Sequence, residues 1–109
     1  MSYNNLKSYA QSLYDALTQP YPPYAAIGLS SQGQPIQLSN ALLQIENEFY
    51  GTIRPKQPIQ FGERPLLALN RRGVEYVEVR CVDLDPYEDI GITKETIAFL
   101  DTFLLFCLM

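Results

Sequence analysis

Apolar residues recur at helical spacing near the start of the chain. Leu6, Tyr9, Ala10, Leu13, Tyr14 and Leu17 share one side of a 3.6-residue repeat, which predicts an amphipathic helix over residues 5–19. Asn4 or Asn5 suits its N-cap. Proline cannot continue a helix interior, so the helix ends before Pro20, and the PYPP stretch at 20–23 reads as an extended linker. Tyr24 to Leu29 and Pro35 to Leu38 read as two short strands. The polar SSQGQ at 30–34 supplies the turn between them, with Gly33 able to take positive φ.

The pattern then changes period. In LLQIENEFYGTIRPK, 42–56, Leu43, Ile45, Phe49 and Ile53 fall on one face, and Gln44, Glu46, Glu48, Tyr50, Thr52 and Arg54 on the other. Alternation of this kind predicts a long strand, limited at its far end by Pro55. Residues 56–63 read as a loop. Pro65 suits the first turn of a short helix over LLALNRR, which Gly73 closes. GVEYVEVRCVDLDP follows, and its alternation predicts a strand over 74–82. Val77, Val79 and Cys81 take one face; Tyr76, Glu78 and Arg80 take the other, between Val74 and Val82. DPYEDIG, 85–91, is a turn-rich connector.

The last segment, TKETIAFLDTFLLFCLM, has Thr93 as N-cap and Glu95 in its first turn. From Ile97 onward it is apolar almost all round, a composition that predicts burial on all sides. A domain this small has little else with which to cover such a helix.

The chain has 109 residues, enough for one small core, and 47% of them are hydrophobic against 18% charged, which is globular composition rather than disorder. The net charge of −4 and the lack of a basic run argue against nucleic acid as a partner. The polar start, MSYNNLK, is unlike a signal peptide, and the apolar run near the end is too short for a bilayer. No membrane partner is expected, and the chain reads as cytosolic. There are two cysteines, Cys81 and Cys107, expected as buried small hydrophobes, and no histidine. Cys–His metal sites and histidine-dependent triads are thereby excluded within the chain, so any metal is held by oxygen.

Two groups of residues carry candidate chemistry. Glu78 and Arg80 stand on one face of a stiff strand. They fit either a structural ion pair or a metal–phosphate station, where the carboxylate ligates a divalent cation and the guanidinium clamps a phosphate. Glu46, Glu48, Tyr50 and Arg54 share a predicted face that is either solvated or functional. Two like charges side by side ask for a compensating donor or cation. DLDPYED, 83–89, lacks the glycine and terminal glutamate of a calcium loop and reads as a turn.

Taken together, QIENEFY…IRPK, EYVEVR…D-x-D-P and IGITKETIAFLDTFLLFCLM resemble, in order and spacing, the middle of the proteobacterial type of glutamate–cysteine ligase. LKSYAQSLYDAL, YAAIG and QGQPIQLS fit the same alignment, so the resemblance covers the chain from about residue 5 onward. The resemblance implies an α+β fold: a curved antiparallel sheet with flanking helices, part of a glutamine synthetase-like catalytic fold. It implies a ligase that uses ATP to join the γ-carboxylate of glutamate to cysteine through a γ-glutamyl phosphate, the first step of glutathione synthesis. Mg²⁺ is the implied cofactor, with Glu78 as a ligand. Arg80 is implied as the catalytic contact to the phosphoryl group and to the glutamyl part. Tyr50 is implied in holding cysteine, with Arg54 facing the same way.

The family enzyme is several times longer, and its metal-binding histidine and most other metal-binding carboxylates lie before this segment. An internal fragment, inactive alone, is therefore the expectation. The contrasting expectation is a stand-alone, non-catalytic interaction domain that self-associates through its apolar C-terminal helix.

Overall fold

The computed structural model describes all residues, 1–109. Asn5 starts the first helix, α1, Leu6–Thr18, and its side chain accepts the Ser8 N–H at 2.8 Å. The apolar stripe of α1 sends Tyr9, Ala10 and Leu13 into the core, whereas Tyr14 stays exposed. Leu66 and Leu69 meet them from α3, Pro65–Arg72, and Leu6, Leu17, Leu43 and Phe49 pack around the five. Pro65 in the first turn and Gly73 (φ 81°) just past the end bound α3 as expected.

Between these helices the chain departs from its pattern twice. Residues 24–29 are not a strand. Pro22 and Pro23 open a short helix, α2, Pro22–Ile27, so PYPP is not an extended linker. Proline lacks only the N–H that a first helical turn leaves unpaired, and its fixed φ suits that turn. The hairpin is shorter than expected and lies largely within the predicted turn segment, and residues 36–38 are not a strand. β1, Ser30–Ser31, pairs antiparallel with β2, Gln34–Pro35. Gln32 and Gly33 turn the chain with φ of 50° and 79°, so Gly33 does take positive φ, and the two positive values make a primed turn that matches the strand twist.

The second departure is larger. The expected strand over 42–54 forms only at its end, as β3, Ile53–Lys56. Residues 46–48 form a 3₁₀ turn instead. The polar side chains explain it, because each is engaged as an acceptor for a backbone N–H, one of them the Gln44 N–H of the segment itself. Gln44 Oε1 accepts from Leu38 N at 2.7 Å, Glu48 Oε2 accepts from Gln44 N at 2.6 Å, and Glu46 Oε1 accepts from Leu66 N. Side-chain acceptors of this kind offer the backbone an alternative to strand pairing.

β4, Tyr76–Val79, pairs antiparallel with β3, setting Ile53 opposite Val79, Arg54 opposite Glu78, Pro55 opposite Val77 and Lys56 opposite Tyr76. The ladder extends to Arg80, whose N–H donates to the Thr52 carbonyl at 2.7 Å. Counting from that bond, Pro55 falls at a non-hydrogen-bonded position, where its missing N–H costs nothing. β4 is shorter than the predicted 74–82 because Cys81 adopts φ 60°, which turns the chain out of the sheet. Cys81 and Cys107 are both exposed in this chain, contrary to the buried placement expected of them.

Residues 85–91 form the expected turns, with Asp85 Oδ1 accepting the Tyr87 N–H. α4, Lys94–Leu108, then begins at Thr93, whose hydroxyl accepts the Thr96 N–H at 3.0 Å. No residue of α4 is buried, although burial on all sides was expected. Its C-terminal half flanks an apolar cleft of about 480 Å³, shared with Tyr3 and Leu6 and with Ile53, Pro55 and Val77 of the ribbon. The radius of gyration is 18.1 Å, where a compact chain of this length has about 13 Å. The excess reflects elements that pack on one side only. Helices plus two separate two-stranded antiparallel ribbons make the architecture α+β. No helix is long and apolar enough to cross a membrane.

Candidate active site

The β3–β4 ribbon divides its side chains by charge. Ile53, Pro55, Val77 and Val79 share one face, and Ile53, Pro55 and Val77 of these line the apolar cleft. Arg54, Lys56, Tyr76 and Glu78 share the other, because residues opposite each other in an antiparallel pair project to the same side.

Glu78 stands at the centre of that polar face. Its Oε2 accepts from Arg80 Nε at 2.8 Å and lies 3.4 Å from Lys56 Nζ. The carboxylate is held below its ordinary range, chiefly by the Arg80 hydrogen bond and then by the Lys56 charge. Arg80 is correspondingly raised, first by Glu78. Tyr50 reaches the same group from the segment after the 3₁₀ turn, and the Arg80 guanidinium carbon stands 5.4 Å from the Tyr50 ring centroid. That is cation–π range. Tyr50 is 69% exposed, so its ring is open to solvent on the side away from Arg80.

Of the residues singled out by sequence, Tyr50, Glu78 and Arg80 therefore come together. Arg54 shares the face but makes none of the chain's three ion pairs. Its charge acts instead on Glu46 and Tyr9, lowering both against the effect of burial. Lys56 also belongs to the cluster, although it is not among the candidates that the sequence singles out. The signal was present, since in IRPK it follows Arg54 by two residues and so shares its face.

Glu46 and Glu48 do not join the cluster. Glu46 is 7% exposed and bonded to the Leu66 N–H, and burial is the largest influence on its carboxyl, raising it.

The arrangement offers one ionised carboxylate, two cations and a phenol ring on an open surface. Arg80 keeps guanidinium donors beyond the one given to Glu78, and a guanidinium fork matches phosphate or carboxylate. As a metal site the cluster is incomplete. Glu78 is a suitable oxygen ligand for a hard cation, but nowhere in the chain do three His, Cys, Asp or Glu side chains converge.

The sequence profile of the family described as glutamate–cysteine ligase matches residues 1–109. Among relatives, the glutamate–cysteine ligase of Hahella chejuensis is 57% identical over 107 residues, covering 98% of this chain and 20% of its own length. That of Janthinobacterium sp. is 59% identical over 105 residues, covering 96% of this chain and again 20% of its own length. A crystal structure of glutamate–cysteine ligase from Francisella tularensis, in complex with AMP, superposes with a TM-score of 0.83 at 53% identity. It covers 98% of this chain, which corresponds to 22% of that structure. The chain thus spans about a fifth of the length of the relatives it matches, and it belongs to the glutamate–cysteine ligase family.

Proposed function

We propose that this segment supplies the phosphoryl-facing and cysteine-facing part of an ATP-dependent glutamate–cysteine ligase. In this reading β3–β4 is a portion of the larger curved antiparallel sheet of a glutamine synthetase-like fold, and its charged face is the substrate side. The γ-carboxylate of glutamate attacks the terminal phosphorus of ATP, giving γ-glutamyl phosphate and ADP. The cysteine amine then attacks the acyl carbon, phosphate leaves, and the amide of γ-glutamylcysteine forms. This is the first step of glutathione synthesis.

The observation that carries the reading is the convergence of Glu78, Arg80 and Tyr50 on one face. Arg80 directs its free donors at the moving phosphoryl group and the glutamyl carboxylate, where charge placed in advance lowers the barrier. Glu78 orients Arg80 and would offer one oxygen to Mg²⁺, the remaining ligands being supplied from outside this segment. When bound, the metal supplies neutralising charge for the ATP phosphates. Tyr50 orients the cysteine, and Arg54 adds positive charge on the same face. The complex of the Francisella relative with AMP supports nucleotide use.

Substitutions in a full-length ligase carrying this segment test the reading. Arg80→Ala and Glu78→Gln are expected to lower kcat by about 10²-fold or more. Tyr50→Ala is expected to raise the KM for cysteine more than it lowers kcat. Kinetics unchanged by Arg80→Ala would refute the proposal.

A further inference from the structure

We infer that Glu46 and Glu48, with Gln44, are positioning residues that set Tyr50 for the second substrate, and that they do so through the backbone rather than by touching a ligand. The inference rests on the cysteine-facing role given to Tyr50 above. It explains a feature left over by that role. Two carboxylates close in sequence precede Tyr50, yet neither reaches the Arg80 cluster.

Tyr50 cannot hold itself in place. The residue is 69% exposed, and the contact that locates its ring is the Arg80 guanidinium. Its position is therefore inherited from residues 44–49. Three acceptor bonds fix that segment. Glu46, buried, accepts the Leu66 N–H in the first turn of α3. The residue at the α3 N-cap, Arg64, makes no side-chain capping bond, so Glu46 caps the helix from 20 residues upstream. Glu48 Oε2 closes back on the Gln44 N–H at 2.6 Å. Gln44 Oε1 accepts the Leu38 N–H at 2.7 Å, tying the segment to the strand-free stretch before it.

The ring of Phe49, edge-on to Tyr9 at 6.2 Å, anchors the residue next to Tyr50 in the core. Beyond it, a Cβ on Gly51 would stand 3.2 Å from the Phe49 ring and 3.4 Å from the Ile53 carbonyl, so the backbone after Tyr50 runs close to its neighbours. The alternation in QIENE thus encodes a clip, and α3 is the rigid body to which the clip is fastened.

The test uses steady-state kinetics of the full-length ligase with cysteine, glutamate and ATP varied in turn. Glu46→Ala is expected to raise the KM for cysteine about five- to tenfold, because a small misplacement of an orienting group is costly. The KM values for ATP and glutamate are expected within about twofold, since Arg80 and Glu78 are held by their own ladder. Glu46→Gln keeps an acceptor oxygen and is expected to restore the cysteine KM. Glu48→Ala alters an exposed local bond, survives folding if Glu46→Ala does not, and is expected to give a smaller rise of the same kind. Tyr50→Ala serves as reference. If it raises the cysteine KM while neither Glu46→Ala nor Glu48→Ala does, the inference fails alone. If it leaves the cysteine KM unchanged, the role of Tyr50 fails first. A rise in all three KM values together would also overturn the inference, because it would mark general loosening.

Discussion

Glu46 and Glu63 respond to pH in opposite senses. Glu46 is raised, chiefly by burial, so the folded chain holds its proton more tightly than the unfolded chain. The stability it contributes is full below the unfolded carboxylate pKa and is lost as pH rises through the folded value. Glu46→Gln is therefore expected to be at least as stable as the parent at neutral pH, with the advantage shrinking under mild acid; denaturant midpoints at several pH values check this. Glu63 is lowered to about 2, chiefly by its bond to Arg72 and then by the Gln60 N–H. Its contribution is present above the ordinary carboxylate range and is lost as pH falls toward about 2. Arg72→Ala should flatten that acid limb, and an unaltered acid limb in Arg72→Ala would contradict the assignment. Glu78, lowered by Arg80 and Lys56, acts in the same sense as Glu63. Its exposed ion pairs add little to stability, which leaves charge placement as their more telling property.

Among the elements, the ends are where single changes register most clearly. Asn5 is the N-cap of α1, and Asn5→Ala should cost about 1 kcal/mol, read from thermal or denaturant unfolding. Gln32 occupies a positive-φ turn position better suited to asparagine, so Gln32→Asn should tighten the β1–β2 hairpin, visible as slower amide exchange around it. The helices α1, α3 and α4 were legible because each carries its own stop or start signal: Asn5, Pro65 with Gly73, and Thr93. The polar and apolar faces of β3–β4 were legible from alternation alone, since pleating leaves no other choice. Two stretches were not. YAAIGL is a short apolar run whose period does not separate helix from strand, and Pro22–Pro23 served as a helix start where they read as a linker. QIENE has the period of a strand, but its three acceptors bond to N–H groups of residues 38, 44 and 66. One of those partners is 20 residues away, and no local pattern announces it.

At the scale of the molecule, charge and apolar surface are separated across one ribbon. The charged face of β3–β4 carries the candidate site, and its apolar face looks into the cleft beside α4. Phe99, Phe103, Leu105 and Phe106 of α4 are exposed, and Phe99 stacks on Phe103 at 5.8 Å. An apolar surface of that kind drives association. The 109-residue chain is expected to self-associate and to bind a hydrophobic dye, and Phe103→Ser with Phe106→Ser should shift its sedimentation toward monomer. It is also expected to show no glutamate- and cysteine-dependent ATP turnover, since one carboxylate does not hold a metal for catalysis. In the proposed function Arg80 faces the phosphoryl group and Tyr50 faces the second substrate. Single-turnover phosphoryl transfer from ATP to glutamate, measured without cysteine in the full-length ligase, separates the two roles. Arg80→Ala should slow that step about 10²- to 10³-fold while Tyr50→Ala leaves it within about threefold. Equal rates for the parent and Arg80→Ala, or an equal loss in both variants, would contradict the account.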